Sequence, residues 1–545
     1  MTIRSTMPRF IWQAAIACAL TGAAARAQGA PPSAAAHVFD VRAFGARGDS
    51  TSLDTDAINR AIEAAAAAHG GTVYFGPGTY SAFSIHLRSN VTLYLDHGAT
   101  LLAASPDEHP EAPGYDPAEN VLAKTYQDYG HSHWHNSLIW GENIENVAIM
   151  GPGRIDGRGL SRSISRDTPR AGNKAIALKL VRHVLLRDFS IYRGGHFGVL
   201  ATGVDDMTID NLVIDTNRDG IDVDDCRNVR ISNTSVNSPF DDAIVLKTSY
   251  ALGEVRGTEN VVITNSIVSG YDVGSVLDGT YRPFTQGAPN RDGPTGRIKL
   301  GTESNGPFRN ITISNIVFDN CRGLALETVD GAQLEDITIT NLTMRHVWTS
   351  PLFLRLGSRM RGPEGLPVGT FRRVTISNVI ASDADPRYAS SITGLPDHPI
   401  EDVRLSNIRI QYRGGLTMRQ VAAQPAELVR QRSGSVVGPH EPYAVPEQAS
   451  AYPEPSMFGL LPAYGLYVRH VRGLDVDGIS ADFVNDDDRP AFVLEDVRGA
   501  HFRDVQARKL GTVPAFVLRD VEDVRVAESP GVADTYVRRA KQRSF

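Results

Sequence analysis

The chain has 545 residues, 41% of them hydrophobic and 21% charged, enough for two or three ordinary domains or one large repetitive one. A formal charge of −7 argues against nucleic acid or an anionic membrane as the main partner. The 50 glycines against 8 methionines suit a β-rich protein with many turns.

At the N-terminus Arg4 and Arg9 flank a mostly apolar run from Ile11 to Leu20, and Ala25-Arg26-Ala27 has the small-x-small form of a cleavage site. The pattern predicts a signal peptide over 1–27 and a periplasmic or extracellular protein that leaves the membrane after cleavage. An uncleaved anchor is the alternative, but the run falls short of the roughly 20 residues of a span. Cys18 leaves with the signal, and Cys226 and Cys321 are too far apart to form a disulfide framework; both are expected buried and reduced. Asp54 to Ala68 reads as a helix with an acidic, cap-rich start, placed to cover the N-terminal end of the domain. One domain is expected over 38–545.

A short segment then recurs: Asn228 to Asn233, Asn260 to Asn265 and Asn310 to Asn315, with Asp206 to Asn211, Asp336 to Asn341 and Asp402 to Asn407 as close copies and Arg373 to Asn378 as a variant. Within each copy apolar and polar residues alternate with period two, the pattern of a half-buried strand. Each copy ends on asparagine, which tolerates a left-handed backbone and bonds its own turn. The closing asparagines are spaced 22, 32, 50, 26, 37 and 29 residues apart. Such irregularity fits a solenoid whose coils keep one strand and vary their loops, so the expected fold is all-β, a single-stranded right-handed parallel β-helix with an N-terminal capping helix. The asparagines are read as turn formers. The gap of 50 is expected to hold two coils, because Ser275-Val-Leu and Arg297-Ile-Lys-Leu both look like strands. A segment at about 412–462, rich in Pro, Gln, Glu and Ser, breaks the repeat; it is either a long ordered loop folded over the groove or a partly mobile excursion. Val471 to Val526 resumes weaker strand patterns.

One coil is dense in acid, from Asn217-Arg218-Asp219-Gly220-Ile221-Asp222 to Asp224 and Asp225, and the next carries Asp241-Asp242. Asp219 and Asp241 are separated by 22 residues, as are Asn211 and Asn233, which puts them on adjacent coils at one point of the cross-section. Three crowded carboxyls suit glycoside hydrolysis, which needs one protonated and one ionised group, because like charges push one pKa up. A calcium site or a solvated acidic turn is the alternative.

Asn217 to Asp222 and Asp241-Asp242-Ala243-Ile244-Val245-Leu246-Lys247 resemble the Asn-Thr-Asp-Gly and Asp-Asp signatures of glycoside hydrolase family 28, the polygalacturonases and rhamnogalacturonan hydrolases. Val41 to Asp49, Gly71 to Tyr80 and Gly151 to Gly159 are similar to the opening of pectin-active β-helix proteins. The resemblance implies an inverting hydrolase, with Asp241 as general acid and Asp219 and Asp242 holding the water. It breaks twice. Where the family has His-Gly before a segment like Leu300 to Glu303, this chain has Thr295-Gly296-Arg297; where it has the Arg-x-Lys that grips a uronate carboxylate, this chain has Ala325 and Glu327. An ionised Glu327 would repel a uronate, so a neutral sugar such as rhamnose is expected beside the cut, unless Arg297 and Lys299 restore the lost charge. Glu303 belongs to the same substrate-facing set.

His131, His133 and His135 alternate around Trp134 on a presumed extended segment; a sugar-contacting loop with His133 on the substrate is preferred to zinc, for which no fourth ligand is evident. Arg355, Arg359 and Arg361 either line the substrate path or form a solvated loop, and Lys247 either bonds substrate, tunes Asp242 or makes a structural ion pair. No metal or cofactor is called for. The expected partner is a polysaccharide or oligosaccharide, and the chain is expected to act as a monomer. Excursions at 283–295, 360–370 and 412–462 could close one end of the groove and give exo action. A β-helix polysaccharide lyase using calcium, for which Asp222, Asp224 and Asp225 leave room, and a non-catalytic carbohydrate-binding solenoid are the alternatives.

Overall fold

A computed structural model describes residues 37–119, 126, 129–162, 170–284, 293–429 and 437–545. The signal-peptide region lies outside them.

The alternating segments form strands, and almost every strand pairs in parallel with its counterpart one coil on. The chain from His37 to Phe545 is one such winding, a parallel β-helix. Inward residues stack into continuous rows. One row runs Ala201, Val223, Leu246, Leu300, Leu326, Leu354, Ile392, Val468, Leu494 and Leu518, each beside the next in register. All are fully or almost fully buried. Because no coil can cover its own apolar row, each is stable only with neighbours above and below.

The repeated asparagines occupy the corners. Asn211, Asn233, Asn265, Asn315, Asn341, Asn378 and Asn407 all have φ between 51° and 59°, the left-handed turn their side chains tolerate. Their amides form a ladder: Asn341 Nδ2 donates to Asn315 Oδ1 at 2.9 Å, Asn378 to Asn341 at 3.1 Å and Asn407 to Asn378 at 2.8 Å.

The predicted helix is Thr55–Ala67, with Ala57, Ile58, Ala61, Ile62 and Ala65 buried over the end of the core. Asp54 precedes it without capping it, since its carboxylate accepts instead from Arg47 N at 2.7 Å and Gly48 N at 3.0 Å. At the other end Thr535–Ser544 folds back antiparallel on Phe516–Ala527 and closes the last coil, a return the sequence pattern did not announce.

Two expectations of register are corrected. The gap of 50 holds one coil, because Thr258–Ser269 pairs directly with Phe308–Asp319. Among the described residues of the long insertion between them only Ile298–Ser304 is a strand; Ser275-Val-Leu lies in turns. Nor does Asp241 stand over Asp219. The register is Ile221 on Ile244, a step of 23, after Val213 on Ser235, a step of 22. The extra residue sits in the intervening turn, so Asp242 takes the place over Asp219 and Asp241 projects from the corner beside it.

The excursion after Gly414 is built into the fold. A short helix, Met418–Ala423, is held by a reciprocal cap between Thr417 and Gln420, and a 3-10 turn follows at Pro455–Phe458. Val445, Met457, Phe458 and Leu461 pack on Ala325, Phe353, Tyr467, Val493 and Val517, the outward row of the sheet that carries the acids. The sequence signal was present: Leu324-Ala-Leu, Leu352-Phe-Leu and Phe492-Val-Leu are apolar on both faces, as strands covered on both sides must be.

Candidate active site

Asp219 opens the strand Asp219–Asp224, and Asp241-Asp242 lead into Ile244–Thr248 on the next coil. Gly220 permits this approach. A Cβ there would lie 2.4 Å from Ala243 O, on the adjoining coil. Asp219, Asp241 and Asp242 each present an oxygen, and these three oxygens lie within 4.8 Å of one another.

Their surroundings differ. Burial, then the charges of Asp241 and Asp222, push the Asp219 carboxyl well above the usual range. Asp242 is equally buried, which alone would raise it, but Lys299 and Arg297 hold it far below. Lys299 Nζ is 2.5 Å from Asp242 Oδ2, and Arg297 Nε donates to Oδ1 at 2.9 Å. Asp241 has the most exposed side chain of the three, at 26%, and accepts from Arg218 Nε at 3.1 Å. Arg218, in the threonine place of the Asn-Thr-Asp-Gly signature, also comes within 3.8 Å of Asp219. Three acids crowded this closely would suit a cation, but Arg218, Arg297 and Lys299 already supply that charge.

The residues expected to line the substrate path are placed otherwise. Lys247 is buried 3.1 Å from Asp222 and 3.4 Å from Glu303, and also meets His131; it does not touch Asp242. Glu303 faces Lys247 and stands within 3.7 Å of Arg359 and 3.8 Å of Arg361; against the effect of burial, Lys247 first, then His131 and these arginines, hold its carboxyl well below the usual range. Arg355 is fully buried and donates to Gly394 O, Glu447 O and Gln448 O, so it anchors the excursion and cannot meet a sugar. Glu327 is also fully buried, beneath Thr302 and Tyr452, and burial pushes its carboxyl up to about 8. The expected repulsion of a uronate by an ionised Glu327 is therefore corrected: the group is neutral near pH 7 and sealed from the groove.

The three histidines do not share a face. His131 lies in the 3-10 turn Tyr129–Ser132 and turns inward to Asp222, at 3.3 Å. His133 is buried beside Ser132 Oγ, at 3.2 Å, not on an open loop. His135 stacks on Trp140 and meets Glu142 at 2.8 Å and Glu119 at 3.5 Å. These two carboxylates are the further ligand types that spacing alone did not reveal, but Lys179 already pairs with Glu142 at 2.8 Å. Asp222, Asp224 and Asp225 diverge as well. Asp224 accepts from Ser249 N and Oγ, and burial raises the Asp225 carboxyl well above its usual range.

Two features escaped sequence reasoning. Glu454, from the excursion, accepts from Arg297 Nη2 at 3.0 Å and Arg322 Nη1 at 2.9 Å. Its sequence distance from the acids hid it. The other is an open cleft of about 390 Å³ at Phe240, the residue before Asp241, lined also by Asn217, Phe284, Arg158, Arg162 and Arg193 among others. Arg158 pairs with Asp156; Arg162 lies 4.2 Å over the Phe240 ring and Arg193 5.0 Å over Tyr192.

Residues 118–281, which contain all three acids, match the family described as glycosyl hydrolases family 28, and residues 38–107 match rhamnogalacturonase A/epimerase, pectate lyase-like. A probable polygalacturonase of Vitis vinifera is 24% identical over 403 residues, covering 69% of this chain and 74% of that protein. An exo-poly-alpha-D-galacturonosidase of Dickeya chrysanthemi is 29% identical over 175 residues, 31% of this chain and 28% of the relative. Among solved structures, an exopolygalacturonase from Thermotoga maritima aligns with a TM-score of 0.55 at 21% identity, over 69% of this chain and 87% of its own, a likeness of fold. With its acids inside the matched segment and Ala325 and Glu327 in the places of the cationic pair, the chain is similar to glycosyl hydrolases family 28 over that segment, and these likenesses support a divergent relative of the family acting as a glycoside hydrolase.

Proposed function

We propose that the enzyme is exported and removes sugars from the end of a pectic chain of the rhamnogalacturonan kind, with inversion. The observation that carries the hydrolytic part is the trio of acids in mutual reach with opposite environments. Burial, then the charges of Asp241 and Asp222, keep a proton on Asp219. Asp241, the most exposed of the trio, delivers it to the leaving glycosidic oxygen as the bond to the anomeric carbon breaks. Asp242, held ionised by Lys299 and Arg297, takes a proton from the water that attacks that carbon. This differs from the family expectation in one respect: a protonated Asp219 acts as reservoir and not as base.

Attack at a chain end is supported by the excursion, which covers the sheet beyond the acids, while among the described residues the cleft by Phe240 stays open. An acidic sugar is supported by Arg162 and Arg193 in that cleft, a neutral one beside the cut by the loss of the Arg-x-Lys pair. The names of the relatives point to pectic substrates, and the N-terminal sequence supports export. Inversion rests on the family, since the acid oxygens lie closer together than the roughly 6.5–9.5 Å usual between the acid and base of inverting enzymes.

The test is a reducing-end and product-size assay on rhamnogalacturonan and homogalacturonan oligosaccharides. Asp241→Asn should lower kcat/KM about 10²–10⁴-fold, wild type should release monosaccharide first, and NMR of the initial product should show the anomer opposite to the bond cut. Long oligosaccharides early in digestion, or retention, would overturn those parts. Equal activity on homogalacturonan would overturn the sugar preference.

A further inference from the structure

The floor beyond Asp242 carries a line of buried charges supplied by both solenoid and excursion. Asp242 is bound by Arg297 and Lys299, Arg297 passes on to Glu454, and Glu454 is bound by Arg322. Arg297 and Arg322 are almost wholly buried, and Glu454 is only 4% exposed. Two guanidinium groups facing one carboxylate at 2.9 and 3.0 Å are what a protein uses to bind a free carboxylate. Here the carboxylate belongs to the chain itself. Arg322 retains two buried N–H groups, Nε and Nη2, without a hydrogen-bond partner, so the cationic seat is not fully satisfied by Glu454. Burying Arg297 and Arg322 beside Lys299 would be costly without an anion, and among the described residues the other acids within 4 Å of Arg297 are Asp242 and the more distant Glu327, at 3.9 Å.

From this arrangement we infer that Glu454 is a specificity-determining residue: it fills, from the excursion, a carboxylate seat on Arg297 and Arg322 next to the catalytic acids, and so denies that seat to the carboxylate of a uronic acid in the substrate. The inference rests on the proposed pectic substrate and deepens it. A chain of uniform uronates is refused at this position because its carboxylate finds cations already paired and a like charge in place. A neutral sugar bears no such penalty. The excursion thereby acts as a selector built from a distant stretch of sequence, and Tyr452, hydrogen-bonded to Thr302 at 3.1 Å, fixes it two residues before Glu454.

The experiment compares wild type with Glu454→Ala and Glu454→Gln. In the Ala variant the seat is empty and should accept a small carboxylate, so titrated formate should raise its Tm saturably, with no such rise in wild type. The same variant should shift the ratio of kcat/KM for oligogalacturonides over rhamnogalacturonan oligosaccharides by about tenfold or more towards the uronate, and Glu454→Gln should shift it less. If limited proteolysis shows the Ala variant's excursion released, the ratio in the Gln variant decides. Absence of both the formate effect and the shift in ratio overturns the inference. A wild type inert on every pectic glycan would overturn the proposed function instead, and the formate titration would still decide whether the seat exists.

Discussion

At the scale of single residues, neighbours and burial matter more than residue type. Asp219 and Asp242 are both buried aspartates one coil apart, yet one carboxyl is held high and the other low, because only Asp242 faces Lys299 and Arg297. Lys299→Met should therefore let burial push the Asp242 carboxyl up. The sign is fixed: the base must be ionised, so the acidic limb of the kcat/KM profile should move to higher pH while the alkaline limb, set by the raised Asp219 carboxyl, stays nearer its place. An unmoved acidic limb would show that Asp242 is not the base. Motif reading found all three acids, since Asn217 to Gly220 and Asp241-Asp242 are contiguous. The structure buries Lys247, Glu303, Glu327, Arg355 and His133 and sets Arg297 and Lys299 on Asp242, which was not legible because alternation along a strand tells which side chains point outward and not what covers them.

At the scale of elements, the outward row of the acid-bearing sheet is covered by the excursion, and the contact is apolar. Phe458 packs fully buried in that cluster, with the guanidinium groups of Arg355 and Arg469 over its ring. Phe458→Ala should weaken the docking of the excursion by about 3–5 kcal/mol. The solenoid beneath has its own core, so the expected outcome is proteolytic cutting within 415–462 with the far-ultraviolet circular dichroism of the strands retained. Loss of strand signal in parallel with cutting would show that excursion and solenoid unfold as one. The asparagine ladder was legible in advance, because left-handed corners demand one residue type at a repeated place. The step of 23 that aligns Asp242 with Asp219 was not, since a single inserted residue in a turn leaves no mark in the apolar pattern.

For the molecule as a whole, the buried charges make stability depend on pH in a direction that can be worked out. Glu327 titrates at about 8 in the fold against an ordinary 4.5, so the folded state binds more protons than the unfolded one between these values. Stability should fall as pH rises through that window, and Glu327→Gln should flatten the fall by on the order of 1–3 kcal/mol. Denaturant melts at pH 5 and pH 8 check this; an unchanged difference between the two would mean that Glu327 does not titrate there. The sequence by itself determined the winding, the corner turns, the capping helix and the three acids, because each is written in a local period or in neighbouring residues. Tertiary structure alone decided the insertion that lengthens one coil, the antiparallel closure, the burial of the expected substrate-facing residues and the arrival of Glu454 at Arg297 and Arg322. Glu454 meets Arg297 and Arg322 across more than a hundred residues of sequence, the others turn on loop lengths and packing, and a repeating pattern carries no information about what folds over its outer face.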